Sequence, residues 1–120
     1  MEAAGSAEEL NGQKVHLLLP LPYRSFLSLY KDARLVMTDS GGLQEETTAQ
    51  GIRCFTIREN TERPITIEEG TNTLVGTTDE GIFSAFKEFR NGRAKKGRIP
   101  ELWDGKASER IVQVLLSSTF

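Results

Sequence analysis

Cysteine is nearly absent from this chain. Cys54 is the single one among 120 residues, so no internal disulfide framework is available. Histidine is equally scarce, and one residue, His16, excludes a His/Cys metal cage. A basic surplus is missing too: 15 Lys and Arg face 17 acids, a formal net charge of −2, without the electrostatic footprint of a nucleic-acid binder. No apolar run approaches the ~20 residues of a membrane span. The opening, Met1-Glu2-Ala3-Ala4-Gly5-Ser6-Ala7-Glu8-Glu9, lacks the basic and apolar regions of a signal peptide. At 13.4 kDa there is room for one compact domain. These exclusions leave a small soluble chain, expected in the cytoplasm, with no metal, cofactor, nucleic acid or membrane to serve.

What is present alternates. Residues 1–14 read as a polar extension without period, and 15–120 as a single α/β unit. Val15-His16-Leu17-Leu18-Leu19, closed by Pro20, reads as a buried strand. Tyr23 to Lys31 carries Phe26, Leu27, Leu29 and Tyr30 at helical spacing. Leu35-Val36-Met37 is the next strand and runs into Thr38-Asp39-Ser40-Gly41-Gly42. A short helix over Leu43–Gln50 follows, stopped by Gly51 as a left-handed cap. Cys54-Phe55-Thr56-Ile57 and Thr73-Leu74-Val75 are strand-like, with a polar loop from Arg58 to Pro64 and a helical turn over Ile65–Glu69 between them. Thr78 or Asp79 caps a helix with the face Ile82, Phe83, Phe86 and Phe89, ending near Gly92. The last helix uses Ala107, Ile111, Val114 and Leu115 as its buried stripe. Strands and helices in alternation predict an α/β fold with a parallel sheet.

Three features carry chemistry. A strand ending in Ser40-Gly41-Gly42 and opening a helix suits an anion. The first helical amides lack internal partners, the helix dipole is positive there, and glycines let a phosphate approach. The same turn also fits plain helix capping by Asp39 or Ser40. Neither the Gly-x-Gly-x-x-Gly fingerprint nor a P-loop is present. One turn on, Glu45 and Glu46 point about 100° apart, so only one of them can look back toward the loop and accept from paired ribose hydroxyls. The third feature is Arg58-Glu59-Asn60-Thr61-Glu62-Arg63-Pro64. In a parallel sheet this loop shares the carboxyl-end crevice with Ser40-Gly41-Gly42. One arginine there can fork onto phosphate while the other pairs with Glu59 or Glu62.

These residues occur in a recognisable order. Pro20-x-x-Tyr23-x-x-Phe26, Thr38 to Glu46, Arg58-x-x-Thr61-Glu62-Arg63-Pro64, Gly70-Thr71-Asn72 and Val75-Gly76 closely resemble the carboxyl-terminal part of non-hydrolysing UDP-N-acetylglucosamine 2-epimerases. Asp104-Gly105-Lys106-Ala107-Ser108 resembles that family's entry to its last helix. The resemblance implies a Rossmann-like parallel sheet with flanking helices, part of the carboxyl-terminal half of a glycosyltransferase-B-like fold. It implies UDP or UDP-GlcNAc as ligand. Phe26 would lie near the uracil, with Ser40, Gly41 and Gly42 at the diphosphate, Glu46 at the ribose and Arg63 on UDP. The family often has a polar residue at the position of Leu21.

The resemblance also implies what is missing. The family interconverts UDP-GlcNAc and UDP-ManNAc, precursors of cell-envelope polysaccharide. Elimination and re-addition of UDP require acid/base groups at C2. The family's catalytic carboxylates and histidine lie before the matched segment, and His16 reads as a strand residue, so no catalytic residue is assigned. The expectation is a UDP-binding part, inactive alone, completed by the missing amino-terminal half or by a homodimer that covers an open sheet edge. A free-standing interaction protein on the same fold, or a piece of another nucleotide-sugar transferase, are the alternatives. Cys54 and the aromatics Phe83, Phe86 and Phe89 read as core. Trp103 reads as packing for the last helix, Asp39 as a turn residue, and Arg93, Lys95, Lys96 and Arg98 as a solvated loop.

Overall fold

The computed structural model describes residues 14–118. The polar extension expected over 1–14 therefore lies, but for Lys14, outside the described residues. The chain divides into two compact units at the Tyr30–Lys31 junction.

In the first unit, helix α1 spans Tyr23–Tyr30. It starts where the Phe26 amide donates to the Pro22 carbonyl at 2.9 Å, and the Phe26 and Tyr30 rings tilt together with centroids 5.2 Å apart. Of the strand expected over Val15–Leu19 only an isolated bridge at Val15 forms. That segment is exposed, Leu19 to 86%. An apolar run becomes a strand only where a ladder accepts it, and the sheet among the described residues has three other members.

The second unit is built on strands β1 (Val36–Thr38), β2 (Cys54–Thr56) and β3 (Asn72–Leu74), parallel and in that spatial order. Val36 stands opposite Cys54, and Cys54 opposite Asn72. Helices α2 (Gly41–Gln50) and α3 (Pro64–Glu68) make the two crossovers, as parallel neighbours require. Each strand sits within a residue or two of its expected place. β2 is central and wholly buried.

Successive side chains of β2 point to opposite faces. Cys54 and Thr56 face a buried polar layer of Gln44, Thr47, Thr48, Thr66, Thr71 and Asn72, each at most 2% exposed. Phe55 faces the other way and meets Phe89 edge-on, ring centroids 6.3 Å apart. Arg34 and Arg53 stack over Phe89, 5.9 and 5.6 Å from its centroid.

Helix α4 (Asp79–Arg90) is capped by Thr78, whose Oγ1 accepts from the Gly81 amide at 3.1 Å. Acids in its first turn and bases in its last complement the dipole. Its expected core aromatics are corrected: Phe83 is 70% and Phe86 40% exposed, and only Phe89 turns inward. Helix α5 (Ala107–Ser117) is corrected likewise, since Ile111, Val114 and Leu115 are all more than half exposed. Helical spacing identifies an apolar face without saying that anything covers it. The basic loop is only partly solvated: the Lys95 ammonium donates to the Ile67 carbonyl at 2.6 Å and to that of Asn72. Desolvation there holds the Lys95 pKa below the ordinary lysine value.

Candidate functional site at the carboxyl end of the sheet

Three loops meet where the parallel strands end. After β1, the Thr38 Oγ1 accepts from the Ser40 amide at 3.0 Å, so Thr38 rather than Asp39 closes the turn. Ser40 is the N-cap in extended conformation, and its side chain makes no capping bond. Helix α2 starts two residues earlier than the sequence suggests, with Gly41 and Gly42 as its first residues. Two opening glycines, two threonines and a length of ten residues leave α2 marginal as a free-standing helix, and tertiary packing sustains it. The Thr47 hydroxyl donates to the Leu43 carbonyl at 2.7 Å. Gly51 ends the helix at φ +74, as its position predicts.

The loop after β2 returns beside that helix start. Arg63 ion-pairs through Nε with Glu45. Its Nη2 lies 3.8 Å from where a Cβ on Gly41 would stand. Arg58 does the internal work foreseen for one of the two arginines, holding Glu62 at 3.0 Å and the Asn60 Oδ1 at 3.1 Å. That contact keeps the Glu62 carboxyl below its ordinary pKa. Glu59 instead crosses to the loop after β3, accepting from the Thr77 amide and hydroxyl, both at 3.3 Å.

The fold thus brings Ser40, Gly41, Gly42 and Arg63 together. Glu46 follows Gly42 by four residues on the same face of α2, half-buried, whereas Glu45 follows Gly41 and belongs to Arg63. Phe26 lies on α1 in the other unit, 37% exposed. Neither Gly41 nor Gly42 has a positive φ, and a Cβ on Gly42 would meet nothing within 4 Å. Glycine inside a helix costs about 1 kcal/mol relative to alanine, and here neither the backbone angle nor internal packing demands it. The first turn of α2 is thus bare of side chains at Gly41 and Gly42, beside the Arg63 guanidinium.

Sequence reasoning missed the support behind this turn. Gln44, Thr61, Thr66 and Asn72 form a continuous hydrogen-bonded set. Gln44 Oε1 accepts from Thr61 Oγ1 at 2.6 Å and from Asn72 Nδ2 at 3.0 Å. Asn72 Nδ2 also donates to Thr66 Oγ1 at 3.1 Å, and Thr66 donates to the Arg63 carbonyl at 2.7 Å. Among the described residues no buried side-chain polar atom lacks a partner. The signal was there: a short helix with no apolar stripe must bury polar groups.

Comparison with known proteins agrees with this geometry. The profile of the UDP-N-acetylglucosamine 2-epimerase family matches residues 2–116. The chain belongs to that family.

Among curated relatives, the UDP-N-acetylglucosamine 2-epimerase of Methanocaldococcus jannaschii is 41% identical over 105 residues, covering 88% of this chain and 28% of the relative. That of Bacillus subtilis is 34% identical over 110 residues, covering 88% and 29%. The chain thus spans under a third of its relatives' length, corresponding to their carboxyl-terminal part. A crystal structure of the Neisseria meningitidis epimerase bound to UDP-GlcNAc superposes with TM-score 0.79 and 30% identity, over 98% of this chain and 34% of that one. The Methanocaldococcus jannaschii epimerase in complex with UDP-GlcNAc and UDP gives 0.74 and 37%, over 98% and 32%. The epimerase family's fold is the one expected, part of a glycosyltransferase-B-like half with a Rossmann-like parallel sheet. Among the described residues no helix is long and apolar enough to cross a membrane.

Proposed function

We propose that residues 15–120 form the UDP-binding part of a UDP-GlcNAc 2-epimerase, with UDP or UDP-GlcNAc as ligand. The observation that carries this reading is the pair of helical glycines that the fold does not need, set against the Arg63 guanidinium. Amides of the first turn of α2 and the edge of Arg63 left by Glu45 are suited to a diphosphate. Ser40 adds a hydroxyl, and Glu46, one turn beyond Gly42, is the ribose partner. Phe26 serves the uracil. Relatives solved with UDP-GlcNAc and UDP support this reading.

The chain alone binds without turning over. Moving the C2 proton needs an acid/base group beside the sugar, and no residue of the cluster is assigned that task. The cytoplasm is the setting we propose, consistent with a free, buried Cys54. Exposed apolar residues on α4 and α5, together with the outer edge of β1, which pairs with no further strand among the described residues, support a homodimer, or union with the rest of an epimerase, as the working state.

Calorimetric titration of UDP tests the site. Wild type is expected to bind, and Arg63→Ala to bind at least tenfold more weakly, since a hydrogen bond to a charged group contributes ~1.5–3 kcal/mol. The exposed ion pair with Glu45 adds at most ~1 kcal/mol to folding, so Arg63→Ala stays folded. No binding at roughly millimolar UDP favours the interaction-protein reading. Conversion of UDP-GlcNAc by the isolated chain defeats the claim of inactivity.

A further inference from the structure

We propose that Thr61 is a positioning residue, the joint that fixes Arg63 against the first turn of α2. The inference rests on the UDP reading of that cluster and assigns a task to a residue that touches no ligand in it.

The connection is short and directional. Gln44 Nε2 donates to the Ser40 carbonyl at 3.3 Å, at the cap of α2. Gln44 Oε1 accepts from the Thr61 hydroxyl at 2.6 Å. Having spent its proton there, Thr61 Oγ1 accepts from the Arg63 amide at 2.9 Å. Three successive bonds thus link the glycine turn to the peptide of Arg63 through one fully buried glutamine. The other end of that residue is held as well, for its carbonyl accepts from Thr66 Oγ1 at 2.7 Å. Glu45, next to Gln44 on the same helical turn, takes the guanidinium by Nε. Arg63 is therefore gripped at amide, carbonyl and side chain; α2 supplies the side-chain grip through Glu45 and anchors the amide grip by bonding Thr61 through Gln44.

A guanidinium recognises phosphate by a planar fork, so its value depends on where the fork points. Preorganisation is the gain: the ordering is done before the ligand arrives. Asparagine at 61 could cap a loop, but only a hydroxyl, of threonine or serine, donates one way and accepts the other through a single atom.

Thr61→Val removes both bonds at nearly constant shape. It leaves Gln44 Oε1 still bonded to Asn72 Nδ2, so no buried acceptor is orphaned and the fold survives. Thr61→Ser restores both bonds. Two readouts on the 120-residue chain decide the matter. In hydrogen exchange by NMR without ligand, the Arg63 amide is expected to exchange about tenfold faster in Thr61→Val and at the wild-type rate in Thr61→Ser, which is the change for losing roughly one net hydrogen bond. In UDP titration, affinity is expected to fall about tenfold in Thr61→Val and to recover in Thr61→Ser. Unchanged exchange in Thr61→Val overturns the proposal, and so does unchanged affinity where wild type binds. If wild type binds no UDP, the UDP reading fails, and the exchange measurement alone still decides whether Thr61 fixes Arg63.

Discussion

Two regions of this small chain are built by opposite rules. Between the sheet and helices α2 and α3, the buried side chains are mostly polar, and each finds a partner. Along α5, and at Phe83 and Phe86 of α4, large apolar side chains stand in solvent, Leu116 to 77%. Ordinary burial sorts residues the other way. The polar layer is costly to desolvate and is kept only where its bonds close completely. What it gives in return is direction, because a hydrogen bond fixes an angle as well as a contact. The apolar helices give adhesion without direction, so they suit a surface meant to be covered. One region aims the loops that meet at the end of the sheet; the other leaves apolar side chains in solvent.

The largest expected effect strikes the polar region. Asn72→Leu is close in volume, but it takes the acceptor from the Thr56 hydroxyl and a donor from both Gln44 and Thr66. A buried group left unpaired costs ~1–3 kcal/mol, so a loss on the order of 3 kcal/mol is expected in urea unfolding. A loss below about 1 kcal/mol would mean that the layer is mere filler, and the contrast between the regions would be broken.

The apolar region should respond in the reverse sense. Ile111→Lys combined with Leu115→Lys, one turn apart on α5, replaces two side chains that are already exposed. Intrinsic stability is expected to stay within about 0.5 kcal/mol per site. Self-association is where the pair should act. Light scattering at ~0.1 mM, inside the range of ordinary affinities, is expected to show the wild type associated and the variant monomeric. A monomeric wild type at that concentration would remove the adhesive role of the helices.

Much of the architecture was legible before the fold, and the reason is local. Gly51, Pro64 and Thr78 mark their elements through backbone chemistry that needs no partner, and each is found doing so. The meeting of Arg63 with Gly41 followed from parallel topology, which puts successive loops at one end of the sheet. What failed depends on partners far along the chain. Val15–Leu19 and the stripe of α5 have strand and helix patterns that mean burial only if something packs on them. Gln44, Thr61 and Asn72 looked like ordinary polar residues, because their importance lies in mutual geometry at separations of 17 and 28 positions. Choosing between Glu45 and Glu46 needed the family resemblance, and the structure adds that Arg63 already holds Glu45.

The smallest expected effect lies at the seam of the polar layer. Cys54 is wholly buried on β2, and desolvation pushes its thiol pKa above the ordinary value, although bonds to Thr47 and Thr56 pull the other way. The sign follows from proton counting. Above the unfolded thiol's pKa, the unfolded chain has released its proton while the native thiol still holds one. The native state then binds more protons, and stability falls as pH rises until the folded pKa is passed. Urea unfolding across that alkaline range is expected to show a decline that Cys54→Ala lacks. Cys54→Ala carries its own small packing loss at every pH, so the slope rather than the absolute stability is the measure. An equal slope in both proteins would mean that the thiol sits in surroundings polar enough to ionise freely, and that the polar layer extends through Cys54 instead of ending at it.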